Sequence, residues 1–417
     1  MRPRVVMVGG GFGGLEAAFY LRWRLRDRVD LTLISDQDAF LFKPNTIYIP
    51  FGLAPEQLLV PLAPPARLQN IRFVQVRVET VDPWQKVVIA GGERILYDFL
   101  VLATGAGMAP QEVPGLNEHA HSIWTPREML RLRHAINDLV TDAAAGQPRR
   151  VLFLVPPNNK CAGPLYEIVF MLDVWLRRHH VRPRVEIAYS TYETGYVQAF
   201  GPRLHQVVSA EFDRREIRGH LQHAVERVEP GVVLYRNGTH LSYDLLIAFP
   251  PYVAGTRFAG LPADDRGFLR TDPATRQVAG HPAIYAPGDG GDFPVKQAFL
   301  AFLQADAAGE HIAAQITGEQ PAFAFEPTSM CVMEQFDKAT FAQVPLVLTG
   351  DPARPVAVRD DADGRYRVGT SPLWRLGKKL LGIYLPWRFA AGQPFHAGMP
   401  WRVMEAGLRV MSGTLAS

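Results

Sequence analysis

Residues 5–18 read Val5-Val6-Met7-Val8-Gly9-Gly10-Gly11-Phe12-Gly13-Gly14-Leu15-Glu16-Ala17-Ala18, and this stretch decides the fold. A short apolar, β-branched run reads as a buried strand. It breaks into glycines and then into a helix-forming segment. Gly9, Gly11 and Gly14 have the G-x-G-x-x-G spacing of a dinucleotide-binding turn. The first glycine permits the tight turn, the second lets backbone approach a pyrophosphate, and the third packs helix on strand. The helix N-terminus, with its free N–H groups and dipole, favours the phosphate charge. A second strand over residues 29–34 ends in Ser35-Asp36, where an acid for a ribose hydroxyl is expected. A simple glycine-rich turn would not account for that acid.

The bulk numbers narrow the field. A chain of 417 residues, 47% hydrophobic and 20% charged, is expected to form two or three domains with sizeable cores. A net charge of +3, with no arginine-rich run, gives no sign of a nucleic-acid partner. The first strand follows Met1-Arg2-Pro3-Arg4 directly, leaving no room for a signal peptide, so a cytoplasmic location is expected. No apolar run approaches the roughly 20 residues of a membrane-spanning helix. Two cysteines, Cys161 and Cys331, exclude a disulfide scaffold and suit a reducing compartment.

Further along, prolines between residues 44 and 65 predict a wrapping connection rather than a long helix. Residues 71–78 and 87–89 alternate like strands of a meander. Tyr97-Asp98-Phe99-Leu100-Val101-Leu102 runs as a buried strand into the small-residue turn Ala103-Thr104-Gly105. A second lobe then begins as a copy of the first, with a buried strand over residues 149–155. Pro156, Asn158 and Cys161 stand where its three glycines would be, so this lobe is expected to keep a dinucleotide-binding outline without its ligand. Ala162-Gly163-Pro164 opens a helix, with proline tolerated in the first turn. Residues 282–289 form a strand ending in Gly288-Asp289, followed by a helical pattern from 297 to 316 that returns the chain to the first lobe.

From residue 371 onward there are six Lys/Arg (Arg375, Lys378, Lys379, Arg388, Arg402, Arg409) against Glu405 alone, so the tail carries +5 and the remainder −2. Leu373, Leu376, Leu380 and Ile383 fall at helical spacing, with Trp387 beyond Pro386; Trp401, Met404, Leu408 and Met411 repeat the pattern. Basic amphipathic helices with tryptophan suit a membrane surface. Stripes that dock on the protein's own core fit the same pattern.

The glycine motif, Ala103-Thr104-Gly105 and Tyr285-Ala286-Pro287-Gly288-Asp289, in that order, resemble the two-dinucleotide-domain flavoprotein reductases. Within them, Lys160-Cys161-Ala162-Gly163-Pro164, Cys331, Phe42-Lys43-Pro44 and Lys296 make the chain similar to the sulfide:quinone oxidoreductases. The resemblance implies an α/β fold of two Rossmann-like FAD/NAD(P)-binding-type domains, each a three-layer ββα unit, plus a C-terminal interface and membrane-association region. The implied parts are an FAD-binding domain over 1–110 and 265–324, a second lobe over 111–264, and a C-terminal region over 325–417. It implies FAD held by Gly9, Gly11, Gly14, Ser35, Asp36, Lys43, Ala103, Thr104, Gly105, Gly288, Asp289 and Lys296, with Asp289 on the flavin's ribitol chain. It further implies catalysis by Cys161, Cys331 and Glu167, hydrogen sulfide and a membrane quinone as substrates, and peripheral attachment to the cytoplasmic membrane face, and it leaves room for a homo-oligomer. No metal is expected.

The residues support that chemistry on their own terms. Cys161 precedes a helix N-terminus beside Lys160, two features that lower a thiol's pKa. Glu167 lies in the first turns of that helix, and the resemblance implies that it serves the acid–base steps that HS⁻ requires. By resemblance, a Cys161–Cys331 disulfide or sulfur bridge is opened by hydrosulfide, Cys331 carries the persulfide and Cys161 is the thiolate that attacks flavin. Lys296 is placed to stabilise the reduced flavin's negative charge. The chain departs from the family at Trp124, where many members carry a third cysteine, so no covalent flavin link is expected. It also lacks a histidine in the segment 195–201. Three alternatives compete: a type-II NADH:quinone reductase, which needs the second glycine loop; the flavin subunit of an exported sulfide dehydrogenase that reduces cytochrome c; and a flavin-stabilised interaction protein with structural thiols.

Overall fold

The computed structural model describes residues 2–352, 354–359 and 364–416. Arg4–Val8 is the central strand of a five-stranded parallel sheet with order Ile284–Tyr285, Phe99–Leu102, Arg4–Val8, Asp30–Ser35, Arg72–Gln75. Because side chains alternate along a strand, its two faces enter different cores. Val5 and Met7 pack with the helices Phe12–Leu25 and Ala298–Thr317, whereas Val6 and Val8 pack with Val81, Val88 and Ile95 of a small antiparallel sheet. The result is three layers: meander, parallel sheet, helices. Of the expected meander run 71–78, the part Arg72–Gln75 joins the edge of the parallel sheet instead. The meander proper is Val78–Asp82, Val87–Ala90 and Glu93–Leu96. Period-two alternation is common to both kinds of edge strand, which is why the sequence did not separate them.

The second lobe repeats this plan. His121–Ser122, Leu245–Ala248, Arg149–Val155, Val185–Thr191 and Ile217–His220 form a parallel sheet in that order. Even a fastening is repeated. The Asp98 carboxylate accepts the backbone N–H of Arg4 at 2.7 Å and its guanidinium at 3.1 Å; Asp244 does the same for Arg150 at 2.7 and 3.2 Å. An antiparallel pair, Ala106–Met108 with Tyr252–Ala254, bridges the lobes, and Ile284–Tyr285 brings the chain back to the first sheet.

The C-terminal region is a hairpin, Thr328–Glu334 with Ala339–Leu348, followed by the helices Pro372–Ala390 and Gly398–Leu415. The first continues through Pro386 rather than stopping there. A buried charge network locks the hairpin to the second lobe. The Arg215 guanidinium, 2% exposed, donates to Asp173 at 3.0 Å, Glu211 at 3.1 Å, and Asp337 and Gln335 at 2.9 Å each. Asp173 lies on the helix Gly163–Arg178 and Asp337 in the hairpin turn. Removing one partner of such a network strands buried charge at a cost of about 3 kcal/mol. Arg215→Ala should therefore lower unfolding free energy by about that amount in urea titration, while exposed Arg214→Ala should cost about 1 kcal/mol or less.

Candidate functional site

A cavity of about 870 Å³ runs from the glycine loop, between the lobes, to the tail helices. The helix Phe12–Leu25 begins on Gly11 with no side-chain cap, so its first-turn N–H groups have no side chain to satisfy them. Gly9 has φ +111°, and a Cβ there would lie 2.3 Å from the carbonyl oxygen of Ala103. Beside Gly11 there is nothing within 4 Å of where a Cβ would be, and a Cβ on Gly14 would lie 1.9 Å from the Gly9 carbonyl oxygen. Turn, approach and packing thus fall to the three glycines as their spacing requires. Ser35, Asp36, Lys43, Ala103, Thr104, Gly105, Gly288 and Asp289 line the same cavity, as do Gly9 and Gly11; Gly14 stands behind the loop. These residues fit a flavin dinucleotide, with its pyrophosphate at the uncapped helix start.

Charged groups at the middle of the cavity are strongly perturbed. Burial pulls the Lys296 ammonium down to about 7, although Asp289 opposes the shift. It donates to the Gly291 carbonyl and lies 3.9 Å from the centre of the Phe268 ring. Burial likewise lowers Lys43 to about 8; its ammonium sits 3.2 Å over the Trp124 ring. Burial raises Asp289, against the pull of both lysines. Trp124 therefore has a packing role where a cysteine was absent, held also by edge-on contact with Tyr252 at 5.6 Å.

Both cysteines line this cavity as free thiols, 170 positions apart in the chain. The expected lowering of Cys161's pKa is overturned. Burial pushes it up to about 12, and the Gly163 N–H offsets only part of that; Asp289, Glu167 and Glu193 push the same way as burial. Burial also lowers the pKa of the adjacent Lys160. The Cys331 thiol is raised as well, by burial and then by Glu167. Neighbouring charge counts for less than desolvation here, and sequence adjacency showed only the charge.

Glu167 lies near both thiols. Its carboxylate accepts the backbone N–H of Glu334 at 2.8 Å and the Lys378 ammonium from the tail helix. Burial raises its pKa while Lys378 opposes the rise. Lys378 also donates to the carbonyl of Val332, next to Cys331, at 2.9 Å. Beside it, Glu334 binds Tyr48 at 2.6 Å and Arg375 at 2.8 Å. In the degenerate loop, Asn158 takes φ +65° without being glycine. The Asn159 side chain donates to Phe249 at 2.9 Å and accepts from the Cys161 N–H at 3.0 Å, so the loop is tied by its own side chain. Segment 195–201, where a histidine was missing, contributes Val197 and Phe200 to the wall; nearby Glu193 is raised by burial to about 7.

The sequence did not reveal Lys378, Glu334, Tyr48 or Arg375, because each acts across more than 40 residues of chain. The tail was also read incompletely. Leu373, Leu376, Leu380, Ile383 and Trp387 are 52–70% exposed, so this stripe does not dock on the core. The second stripe does pack inward: Leu408 and Met411 lie against Phe341 and Trp374, and Trp401 against Phe395 at 5.0 Å. Lys378 and Arg388 are buried, leaving Lys379, Arg402 and Arg409 as exposed basic groups. Leu381, Leu385, Phe395 and Trp401 close the cavity on that side. No helix among the described residues is long and apolar enough to cross a membrane.

Replacing Lys378 by Met removes the cation that favours ionised Glu167, so that carboxyl's pKa should rise. Infrared titration of the carboxyl stretch should show Glu167 staying protonated to higher pH in Lys378→Met than in the parent. Glu167→Gln identifies the band.

The pyridine nucleotide-disulphide oxidoreductase family profile matches residues 3–144. The sulfide-quinone reductase of Aquifex aeolicus is 32% identical over 243 residues, covering 57% of this chain and 55% of that protein. The chain thus aligns with about half the length of this relative. The mitochondrial sulfide:quinone oxidoreductase of Dictyostelium discoideum is 23% identical over 323 residues, covering 72% and 67%. The crystal structure of the Aquifex aeolicus sulfide:quinone oxidoreductase superposes with a TM-score of 0.85 over 98% of this chain and 96% of that one, at 24% identity. The two share one fold.

Proposed function

We propose, from the sulfide:quinone oxidoreductase family that these comparisons support, that this chain oxidises hydrogen sulfide to sulfane sulfur and passes two electrons through FAD to a membrane quinone. The observation that carries the reading is the meeting of Cys161, Cys331 and Glu167 in the cavity that begins at the glycine loop. The glycine loop, Asp36, Thr104 and Asp289 would hold FAD, which would supply a two-electron acceptor between the sulfur chemistry and the quinone.

The chain's own steps follow from its thiols. With Cys161 and Cys331 joined as a disulfide, hydrosulfide attacks the Cys331 sulfur. The S–S bond breaks, Cys331 carries the persulfide and Cys161 leaves as thiolate. Cys161 suits the leaving role because the Gly163 N–H favours its anion. Glu167, beside both sulfurs, takes the proton that bound HS⁻ gives up, and Lys378 holds it in place. Lys43 and Lys296, at about 8 and 7, can gain or lose a proton near neutrality as negative charge arrives beside them. The loop occupied by Asn159, with Pro156 in place of glycine, disfavours a second dinucleotide and hence an NADH-driven reaction.

Anaerobic mixing of the holoprotein with sulfide should bleach its yellow absorbance, and NADH should not. Cys161→Ser and Cys331→Ser should each abolish sulfide-driven bleaching, and Glu167→Gln should slow it about 100-fold. Bleaching by NADH alone, or unaltered bleaching in both cysteine variants, would refute the assignment.

Quinone would enter at the tail side, where Leu381, Leu385, Phe395 and Trp401 give the cavity an apolar wall. The exposed stripe Leu376, Leu380, Ile383 and Trp387, with Lys379 beside it, would enter the interface of an anionic bilayer as a peripheral anchor. Leu380→Glu with Ile383→Glu should abolish co-flotation with anionic vesicles while leaving sulfide-driven bleaching intact. Equal flotation of variant and parent would eliminate the anchor.

A further inference from the structure

Away from the sulfur site, three ionisable side chains from three segments converge in the interior: Glu16 of helix Phe12–Leu25, Asp306 of helix Ala298–Thr317, and His396 of the connection between the two tail helices. One donor atom from each lies within 4.8 Å of the others. The Glu16 oxygens accept the backbone N–H groups of Phe395 at 2.7 Å and His396 at 3.2 Å, while His396 Nδ1 meets Asp306 Oδ2 at 2.6 Å. Two polar atoms nevertheless have no partner: Asp306 Oδ1, on a side chain only 7% exposed, and His396 Nε2. Two buried carboxylates would ordinarily be matched by a basic side chain. Among the described residues no lysine or arginine hydrogen-bonds to them, and the basic group at hand is His396 itself. Arg24 is taken by Glu310 and Glu319, and Arg388 by the carbonyls of Pro394 and Ala397. Arg22 is spent on backbone carbonyls, including that of Asn70 at 2.9 Å.

We propose that Glu16, Asp306 and His396 form a divalent transition-metal site that fastens the connection between the tail helices to the first lobe. One imidazole and two carboxylates match the borderline donors of Zn²⁺, with Mn²⁺ and Fe²⁺ weaker in the same set. The ion would supply the missing positive charge and a partner for the unpartnered Asp306 Oδ1. Burial already holds the imidazole neutral, with His396 lowered to about 4, which is the form a metal binds. It raises Asp306 to about 7 and Glu16 well above the usual carboxylate range, and an ion would reverse both shifts. The site is separate from the cysteines, so it stands or falls independently of the sulfide reading.

Elemental analysis of purified holoprotein, then calorimetric titration of chelator-treated holoprotein with Zn²⁺, tests the site. The expected result is one Zn²⁺ per chain, with affinity reduced at least about 100-fold in Asp306→Asn and in His396→Gln. Co²⁺ gives a second readout on the unmutated protein. Its visible bands should appear on binding, and the Trp401 ring, 4.5 Å from that of His396, should be quenched, a signal lost in Trp401→Phe. Absence of stoichiometric Zn²⁺ and Co²⁺ binding, or unchanged affinity in both variants, would overturn the proposal. In that case protons neutralise the two carboxylates.

Discussion

One buried carboxylate holds the candidate site together. Glu167 accepts a backbone N–H from the strand that carries Cys331 and an ammonium from the tail, while its own helix starts two residues after Cys161. Three segments distant in sequence are thereby brought to one point. A carboxylate in such surroundings is costly unless its lone pairs are used, and here both kinds of donor are present. The Arg215 network, farther along the same helix, braces this junction from behind by joining Asp173 to the hairpin turn.

Much of this was legible in the chain because it depends on local rules. Gly9, Gly11 and Gly14 announce a strand–turn–helix whose steric demands are set within a dozen residues, and Pro164 marks a helix start by its missing N–H. What stayed hidden acts through space. Lys378 looked like one more basic residue of an amphipathic tail, yet it turns inward to Glu167. The activation of Cys161 was misjudged for the same reason: neighbouring charge is visible in sequence, whereas the surrounding walls that remove water are not.

The tail combines two tasks that a helical-wheel reading cannot separate. One face of Pro372–Ala390 sends Trp374, Lys378 and Leu385 into the protein; another leaves Leu376, Leu380 and Ile383 uncovered. The second helix, by contrast, uses its stripe to cover the hairpin. A charge total of +5 overstated what faces outward, since Lys378 and Arg388 have internal partners.

The repeated fastening of Arg4 to Asp98 and of Arg150 to Asp244 lies at the opposite end of each sheet from the loop that follows its first strand. Architecture and cargo are therefore governed from opposite poles. A lobe secured at its base can surrender a phosphate cradle without unravelling, and the vacated rim becomes ground for new chemistry. In this chain the position in the second lobe that matches the third glycine of the first is Cys161, which lines the cavity between the lobes.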